Sequence, residues 1–484
     1  MNRLPNTPSR RHFLTFSAAS ALGLASKSGR AETAPSPTGA PSSPAVAALA
    51  ELERWAKTRA VELGASVVEL ASAREIAGSA SQKALNPASS QKILTIACAL
   101  DRLGPGFRFT TTLHGTISGD SVDQLVLRSD GDPELSSSSL MFLVARLLAF
   151  GVRRVRGDVL VDQSAFDAGW EPPAYEQRPD DWSAYRAPVS AVAIDGNTVT
   201  LNVRATTEAA RALSWLEPPG VGRIDGVITT TAADRKENVG LTVVPNTSPV
   251  VARVSGGIPL GRAGLSYARR LPNPEAAPAH VLKVLLERAG IAVAGRAGAG
   301  GAGVEAELVR LESRPLAQII HALGKRSDNF TAEMLLKALG RSSRTTPGTS
   351  SAGAAVLDAF LRARAAWTPG TRITNGSGLY EANRISAFTL TRVLALAAAE
   401  PRLGPELVAS LSIGGVDGTL VNRFGKESAT RRVRAKTGTL SSVIALAGYV
   451  YTDEPVAFAF LLNGLKGGQT EARQRLDAAA SALL

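Results

Sequence analysis

Cysteine is almost absent from this sequence: Cys98 is the only one in 484 residues. A single thiol excludes an intrachain disulfide and any multi-cysteine zinc or iron–sulfur centre. Histidine is nearly as scarce, with four residues, one of them His12. A Ser-His-Asp triad would have to draw on His114, His280 or His321, and none stands in a catalytic context. His321 lies among Ile319, Ile320 and Leu323 and reads as an ordinary helix residue. No Gly-x-Ser-x-Gly elbow is present. Beyond residue 31, no run approaches the roughly 20 apolar residues that a membrane-spanning helix needs. Neither a metal nor an organic cofactor is expected.

What is present is globular: 44% hydrophobic and 20% charged residues. At roughly 150 residues per domain, the length suggests about three domains, or one core domain with large insertions. The formal charge of +12 would permit an anionic partner. Most of it is arginine scattered along the chain, which reads as a solvated basic face. No nucleic-acid-binding motif appears, so no nucleic-acid partner is expected.

The N-terminus carries Ser9-Arg10-Arg11-His12-Phe13-Leu14, then an apolar run from Phe13 to Ala25, then Gly29 and Ala31 as a cleavage pair. This reads as an export signal of the twin-arginine type over 1–31. No cysteine follows to carry a lipid anchor. A Pro/Ser/Thr/Ala-rich linker covers 32–44. The expected location is therefore periplasmic or otherwise extracytoplasmic.

Helical periodicity over 45–63 precedes two strand-like runs, 66–70 and 74–77. Asn86-Pro87-Ala88-Ser89 then signals a helix start. Between 105 and 272 short strand-like runs dominate, separated by Gly, Pro and Asp turns. The Gly/Ala run 295–303 reads as a loop, because it lacks the lysine of a phosphate-binding loop. From 315 the pattern is helical, and the chain closes with strand, strand, helix. The expected fold is α+β and multi-domain, with 45–104 and 273–484 forming one domain and 105–272 a strand-rich insertion. The two ends can share one antiparallel sheet with the middle helices stacked on it.

With histidine scarce, a serine can be activated by a neutral lysine. Residues three apart share a helix face, so Ser89-Ser90-Gln91-Lys92 puts a hydroxyl and an amine together at a helix start. Lys92 is the only lysine with a serine three residues before it. Two further pieces follow in order. Ser327-Asp328-Asn329 offers a proton relay and an amide. Lys436-Thr437-Gly438-Thr439 offers a cation and hydroxyls for a carboxylate on an edge strand, with Gly438 allowing close approach of a substrate backbone. Alone, each tripeptide is as well explained by a helix cap or a surface strand. In this order they form one set. The gap from Ser89 to Ser327 is more than twice that from Ser327 to Lys436, and the insertion accounts for the excess.

The chain resembles the class C low-molecular-mass penicillin-binding proteins, the D-alanyl-D-alanine carboxypeptidase/endopeptidase family S13 of the penicillin-binding protein 4 type. The resemblance covers about 45–484. It rests on the segments 86–92 and 325–333, on Gly415-Val416-Asp417-Gly418-Thr419-Leu420, on Arg434 to Leu440, on Ala447-Gly448-Tyr449 and on Tyr185 to Ala191. It implies a serine β-lactamase/penicillin-binding fold with the insertion after the nucleophile helix. It implies that Ser89 attacks, Lys92 is the base, and Ser327 with Lys436 passes a proton to the leaving amine. Asn329 binds the substrate amide, Thr437 and Thr439 hold the terminal carboxylate, and the N–H groups of Ser89 and Thr439 form the oxyanion hole. A cationic Lys436 would keep Lys92 neutral. The implied partners are peptidoglycan stem peptides and cross-links, with β-lactams as covalent inhibitors.

Asp162 resembles an acid in the insertion that would meet a free amine of the stem peptide. Asn375-Gly376-Ser377-Gly378-Leu379 departs from the family, which has Asp at the first position. Two other readings remain open: a serine β-lactamase, for which no dedicated carboxylate base is evident, and a non-catalytic wall-binding scaffold. Oligomeric state is not legible.

Overall fold

The strands Val443–Val450 and Val456–Asn463 are buried along almost their whole length. Such strands need cover on both faces. Successive side chains point to opposite faces, and here they sort by size. Ala445, Ala447, Ala457 and Ala459 face one core, while Ile444, Leu446, Phe458 and Phe460 face another. The bulky face is covered by the helices Pro44–Thr58 and Gln469–Ser481, through Leu49, Leu52 and Leu476. The alanine face lets the helices Gln91–Leu103 and Ala387–Ala399 lie close.

The structure, a computed structural model, describes residues 44–301, 303, 306–342, 347–426 and 429–484. The export signal and the linker, all but its last residue Pro44, lie outside the described residues. No described helix is long and apolar enough to cross a membrane.

Six strands form the main sheet, in the order 75–79, 62–69, 456–463, 443–450, 433–439, 412–413. Every neighbouring pair is antiparallel. The two chain ends therefore meet in one sheet, as the sequence implies. The outermost strand pairs only with Ala435 and Arg434, which leaves the outer edge of residues 436–439 uncovered.

The middle of the chain builds separate sheets. A five-stranded sheet runs in the order 297–299, 159–162, 125–129, 110–114, 307–312. Its core packs against the helices Ser137–Ala149 and Ala277–Arg288. Strand Ala297–Ala299 pairs with Val159–Val161, and Glu307–Glu312 pairs with Thr110–His114. The inserted pairing thus continues to Glu312, beyond the boundary expected at 272. The helix Ser137–Ala149 was hidden by its serine-rich start. Ser136 and Ser139 form a reciprocal capping box there.

Candidate active site

Ser89 sits on a single helical turn, Ala88–Ser90, that leads into the helix Gln91–Leu103. Side chains pin this turn from both sides. The Asn86 side chain accepts from the Ala88 N–H at 2.9 Å and donates to the Tyr380 carbonyl at 3.0 Å. Asn463, at the end of its strand, donates to the Asn86 carbonyl at 3.0 Å. Gly438 explains how the Lys436 strand reaches the turn. A Cβ there would lie 2.8 Å from the Pro87 carbonyl oxygen and 3.0 Å from the Ala88 Cβ. The close approach that requires glycine is thus to the protein's own nucleophile turn.

Lys92 is fully buried. Its Nζ lies 2.9 Å from Ser89 Oγ, 2.7 Å from Asn329 Oδ1 and 2.7 Å from the Ser377 carbonyl oxygen. The last two partners can only accept. A neutral amine has two N–H donors and one lone pair. If it donates to both carbonyl oxygens, its lone pair is left facing the Ser89 hydroxyl. Burial pushes the Lys92 ammonium down to about 7, against the pull of Asp328 and Glu333.

The second pair is Lys436 and Ser327. Lys436 Nζ donates to Ser327 Oγ at 2.7 Å and to the Thr437 carbonyl at 2.9 Å. Ser327 closes the helix Leu316–Arg326 in a left-handed conformation, φ 57°, an uncommon state for a serine that clusters at functional sites. Lys436 is fully buried and its amine is pushed well below the usual lysine value, first by burial and then by the Lys92 charge. Both amines are therefore depressed. Burial itself disfavours charge on Lys92, so a cationic Lys436 is not needed to keep it neutral.

Neighbouring segments lock the three motifs together. Lys325 Nζ donates to the Leu411 carbonyl at 2.6 Å and to Asp417 Oδ2 at 2.7 Å. Thr437 Oγ1 donates to Thr419 Oγ1 at 2.9 Å. The insertion also reaches the site: Asn329 Nδ2 donates to the Tyr185 carbonyl at 3.2 Å. Arg186, fully buried, ties the loop beneath through the carbonyls of Tyr175, Arg178 and Asp181.

Ser89, Lys92, Ser327, Asn329 and Lys436 thus come together, with Thr437, Gly438 and Thr439 along the open edge. Asp162 does not join them. It accepts from Arg128 Nε and from the Ser164 N–H, each at 2.9 Å, and lines a separate cavity of about 430 Å³ with Thr110, Arg310 and Arg341. There its carboxylate is paired with Arg128 and still faces the cavity. Among the described residues no cluster of His, Cys, Asp and Glu could hold a metal ion. Cys98 is buried in the helical core, and burial pushes its thiol up to about 12.

This geometry agrees with what the chain is similar to. A model of the D-Ala-D-Ala carboxypeptidase 3 (S13) family matches residues 47–483. The chain belongs to that family. It is a serine peptidase, a hydrolase, with the penicillin-binding fold. The D-alanyl-D-alanine carboxypeptidase of Actinomadura sp. (strain R39) is 31% identical over 430 residues, covering 84% of this chain and 78% of that one. A D-alanyl-D-alanine carboxypeptidase of Haemophilus influenzae is 27% identical, covering 80% and 82%. The crystal structure of penicillin binding protein 4 from Haemophilus influenzae superposes with a TM-score of 0.76 at 24% identity, covering 89% of this chain and 98% of that one. That likeness gives the fold.

Sequence reasoning quoted Ser377, Glu333 and Tyr185 without assigning them a part in the site. Two of the three act through backbone carbonyls, which leave no side-chain signature. Glu333 left one: it stands four residues after Asn329, on the same helix face.

Proposed function

We propose that the chain is a D-Ala-D-Ala carboxypeptidase working through an acyl-enzyme on Ser89. The observation that carries this reading is the three-point hold on Lys92 Nζ by Ser89 Oγ, Asn329 Oδ1 and the Ser377 carbonyl. In the proposed sequence Ser89 Oγ attacks the carbonyl carbon of the penultimate D-Ala while its proton passes to Lys92. The N–H groups of Ser89 and Thr439 take the oxyanion. The terminal carboxylate rests on Thr437 and Thr439, and its negative charge favours the cation on Lys436. As the C–N bond breaks, the departing nitrogen takes a proton through Ser327. Water then attacks the ester and regenerates Ser89.

The β-lactamase reading needs a carboxylate to activate that water. Both carboxylate oxygens of Glu333 are taken by backbone N–H groups in a fully buried position. Asp328 is held by the backbone and hydroxyl of Thr331, at 3.0 and 2.5 Å. Glu333 is thus fully engaged and one oxygen of Asp328 is held, which favours a long-lived penicilloyl-enzyme. Action on cross-links belongs to the same chemistry, because an endopeptidase breaks the same bond with a longer leaving group. We place the enzyme outside the cytoplasm, reached by the twin-arginine route, on the strength of Arg10-Arg11 and the apolar run after them. The test of the peptidase is release of D-Ala from diacetyl-L-Lys-D-Ala-D-Ala by wild type and Ser89→Ala. The reading expects release by wild type alone. Equal release by the two, or none by wild type, refutes it.

A further inference from the structure

The segment Asn375–Gly378 is wedged between the nucleophile helix and the helix Asn329–Ser342. Its fit is tight: a Cβ on Gly378 would lie 1.9 Å from the Ala88 carbonyl oxygen, and one on Gly376 would lie 2.5 Å from that of Ala332. Three successive backbone N–H groups of this loop end on side chains. Gly376 and Ser377 donate to the two carboxylate oxygens of Glu333, at 3.1 and 2.8 Å. Gly378 donates to Asn375 Oδ1 at 2.9 Å. The carbonyls of the first two turn to the nucleophile helix. Gly376 O accepts from Thr95 Oγ1 at 2.8 Å, and Ser377 O accepts from Lys92 Nζ at 2.7 Å.

We propose that Glu333 is a positioning residue for acylation: by gripping the Gly376 and Ser377 amides it aims the Ser377 carbonyl at Lys92, so that the lone pair of the amine faces Ser89. The inference rests on Lys92 acting as the base. Two acceptor oxygens are needed to occupy both N–H groups of the neutral amine. One, Asn329 Oδ1, comes from a side chain on the same helix as Glu333. The other is a main-chain carbonyl, whose direction follows from how the N–H groups of its loop are held. Glu333 makes that hold ionic and places it one helical turn from Asn329, so both acceptors move with one helix. Both oxygens accept, an arrangement that suits the ionised carboxylate. Burial raises the Glu333 carboxyl above its ordinary value, while its hydrogen-bond donors and Lys92 oppose this.

Other charges also face Lys92. Asp328 at the helix junction raises its proton affinity, and Lys436, itself depressed by burial and by the Lys92 charge, is the neighbouring amine. The Tyr175 hydroxyl lies 3.5 Å from Ser377 Oγ, on the far side of the loop.

Glu333→Gln tests the geometry and the charge together. Gln keeps the shape but has one acceptor, and its NH2 would meet an amide N–H. Glu333→Asp keeps the charge but shortens the reach. The readout is the acylation rate with benzylpenicillin against pH, counted per protein molecule able to form the adduct, so that loss of folded protein does not enter. For Glu333→Gln the expected result has two parts. The plateau rate falls at least about tenfold, the scale of a misplaced reacting group. The acid limb moves to lower pH, because a negative charge near the ammonium is gone. Glu333→Asp should lose the plateau and keep the limb, and it carries the test if the Gln variant does not fold. A wild-type plateau in either variant, or an unmoved limb in Glu333→Gln, overturns the inference and leaves the peptidase reading standing. A wild type that takes no adduct overturns both.

Discussion

Lys436 Nζ and Ser327 Oγ are 2.7 Å apart, and each is held by a different motif of the chain. The lysine comes from the strand 433–439, beyond the stretch that the short outermost strand pairs. The serine comes from the left-handed end of a helix that Lys325 ties to the 411–417 turn. In the proposed sequence this pair serves the leaving group. Ser327→Ala should therefore keep the adduct at Ser89 and slow its formation. Positioned proton transfer is worth roughly 10²- to 10⁴-fold. The check is stopped-flow acylation of wild type and variant, with peptide mapping of the product. A rate within twofold of wild type would remove Ser327 from the relay.

The pH dependence follows from Lys92. Its ammonium is pushed down to about 7 by burial. Only the neutral amine can take the serine proton. The rate of acylation should therefore rise with pH through about 7 and level off above it. A profile flat from pH 5.5 to 8 would mean that a different group takes the proton. Lys92→Met should abolish this limb along with nearly all of the activity.

Gly438→Ala tests the contact between strand and nucleophile turn. The added methyl would meet the Pro87 carbonyl at 2.8 Å and the Ala88 Cβ at 3.0 Å. Overpacking of this kind costs about 1–3 kcal/mol. The displacement falls on the residue before Ser89. Both the denaturation midpoint and the acylation rate should drop. A variant with wild-type acylation would show that the turn can yield.

Asn375 stands where the family has Asp, and its amide has a use here. It is fully buried, and its Nδ2 donates to the carbonyls of Pro173 and Leu379, both at 3.1 Å. An aspartate oxygen at that place would face two carbonyl oxygens. Asn375→Asp should destabilise the fold at pH 7 by about 1–3 kcal/mol. The new carboxyl would have a raised folded-state pKa. Its penalty should be absent below the unfolded pKa near 4 and grow as the pH rises past it. Urea midpoints at pH 4 and pH 7 decide this. An equal loss at both would point to shape instead of charge.

The sequence carried a large share of this account. Three residues of spacing placed Ser89 and Lys92 together, and the order of three motifs placed Ser327, Asn329 and Lys436 with them. The two apolar runs near the C-terminus announced the closing strands of one shared sheet. What escaped is contributed by main chain or by distant segments. The Ser377 carbonyl reaches Lys92 only because Glu333 and Asn375 hold the loop's amides. The Tyr185 carbonyl accepts from Asn329 out of a loop whose other carbonyls the buried Arg186 gathers. Of these residues only Glu333 left a side-chain pattern, four residues after Asn329 on the same helix face. The ion pair of Asp162 was hidden for a related reason. Its partner Arg128 sits on the neighbouring strand, paired in register with it, and this pairing is invisible in the local sequence.

The central claim is that Ser89 is the nucleophile, activated by the buried amine of Lys92. Intact-mass analysis after incubation with benzylpenicillin tests it most directly, on wild type, Ser89→Ala and Lys92→Met, with peptide mapping of any adduct. The account predicts one penicilloyl group on the wild type, mapped to Ser89, and none on either variant. An adduct on Ser89→Ala, or a wild type that takes none and leaves the penicillin intact, would contradict it.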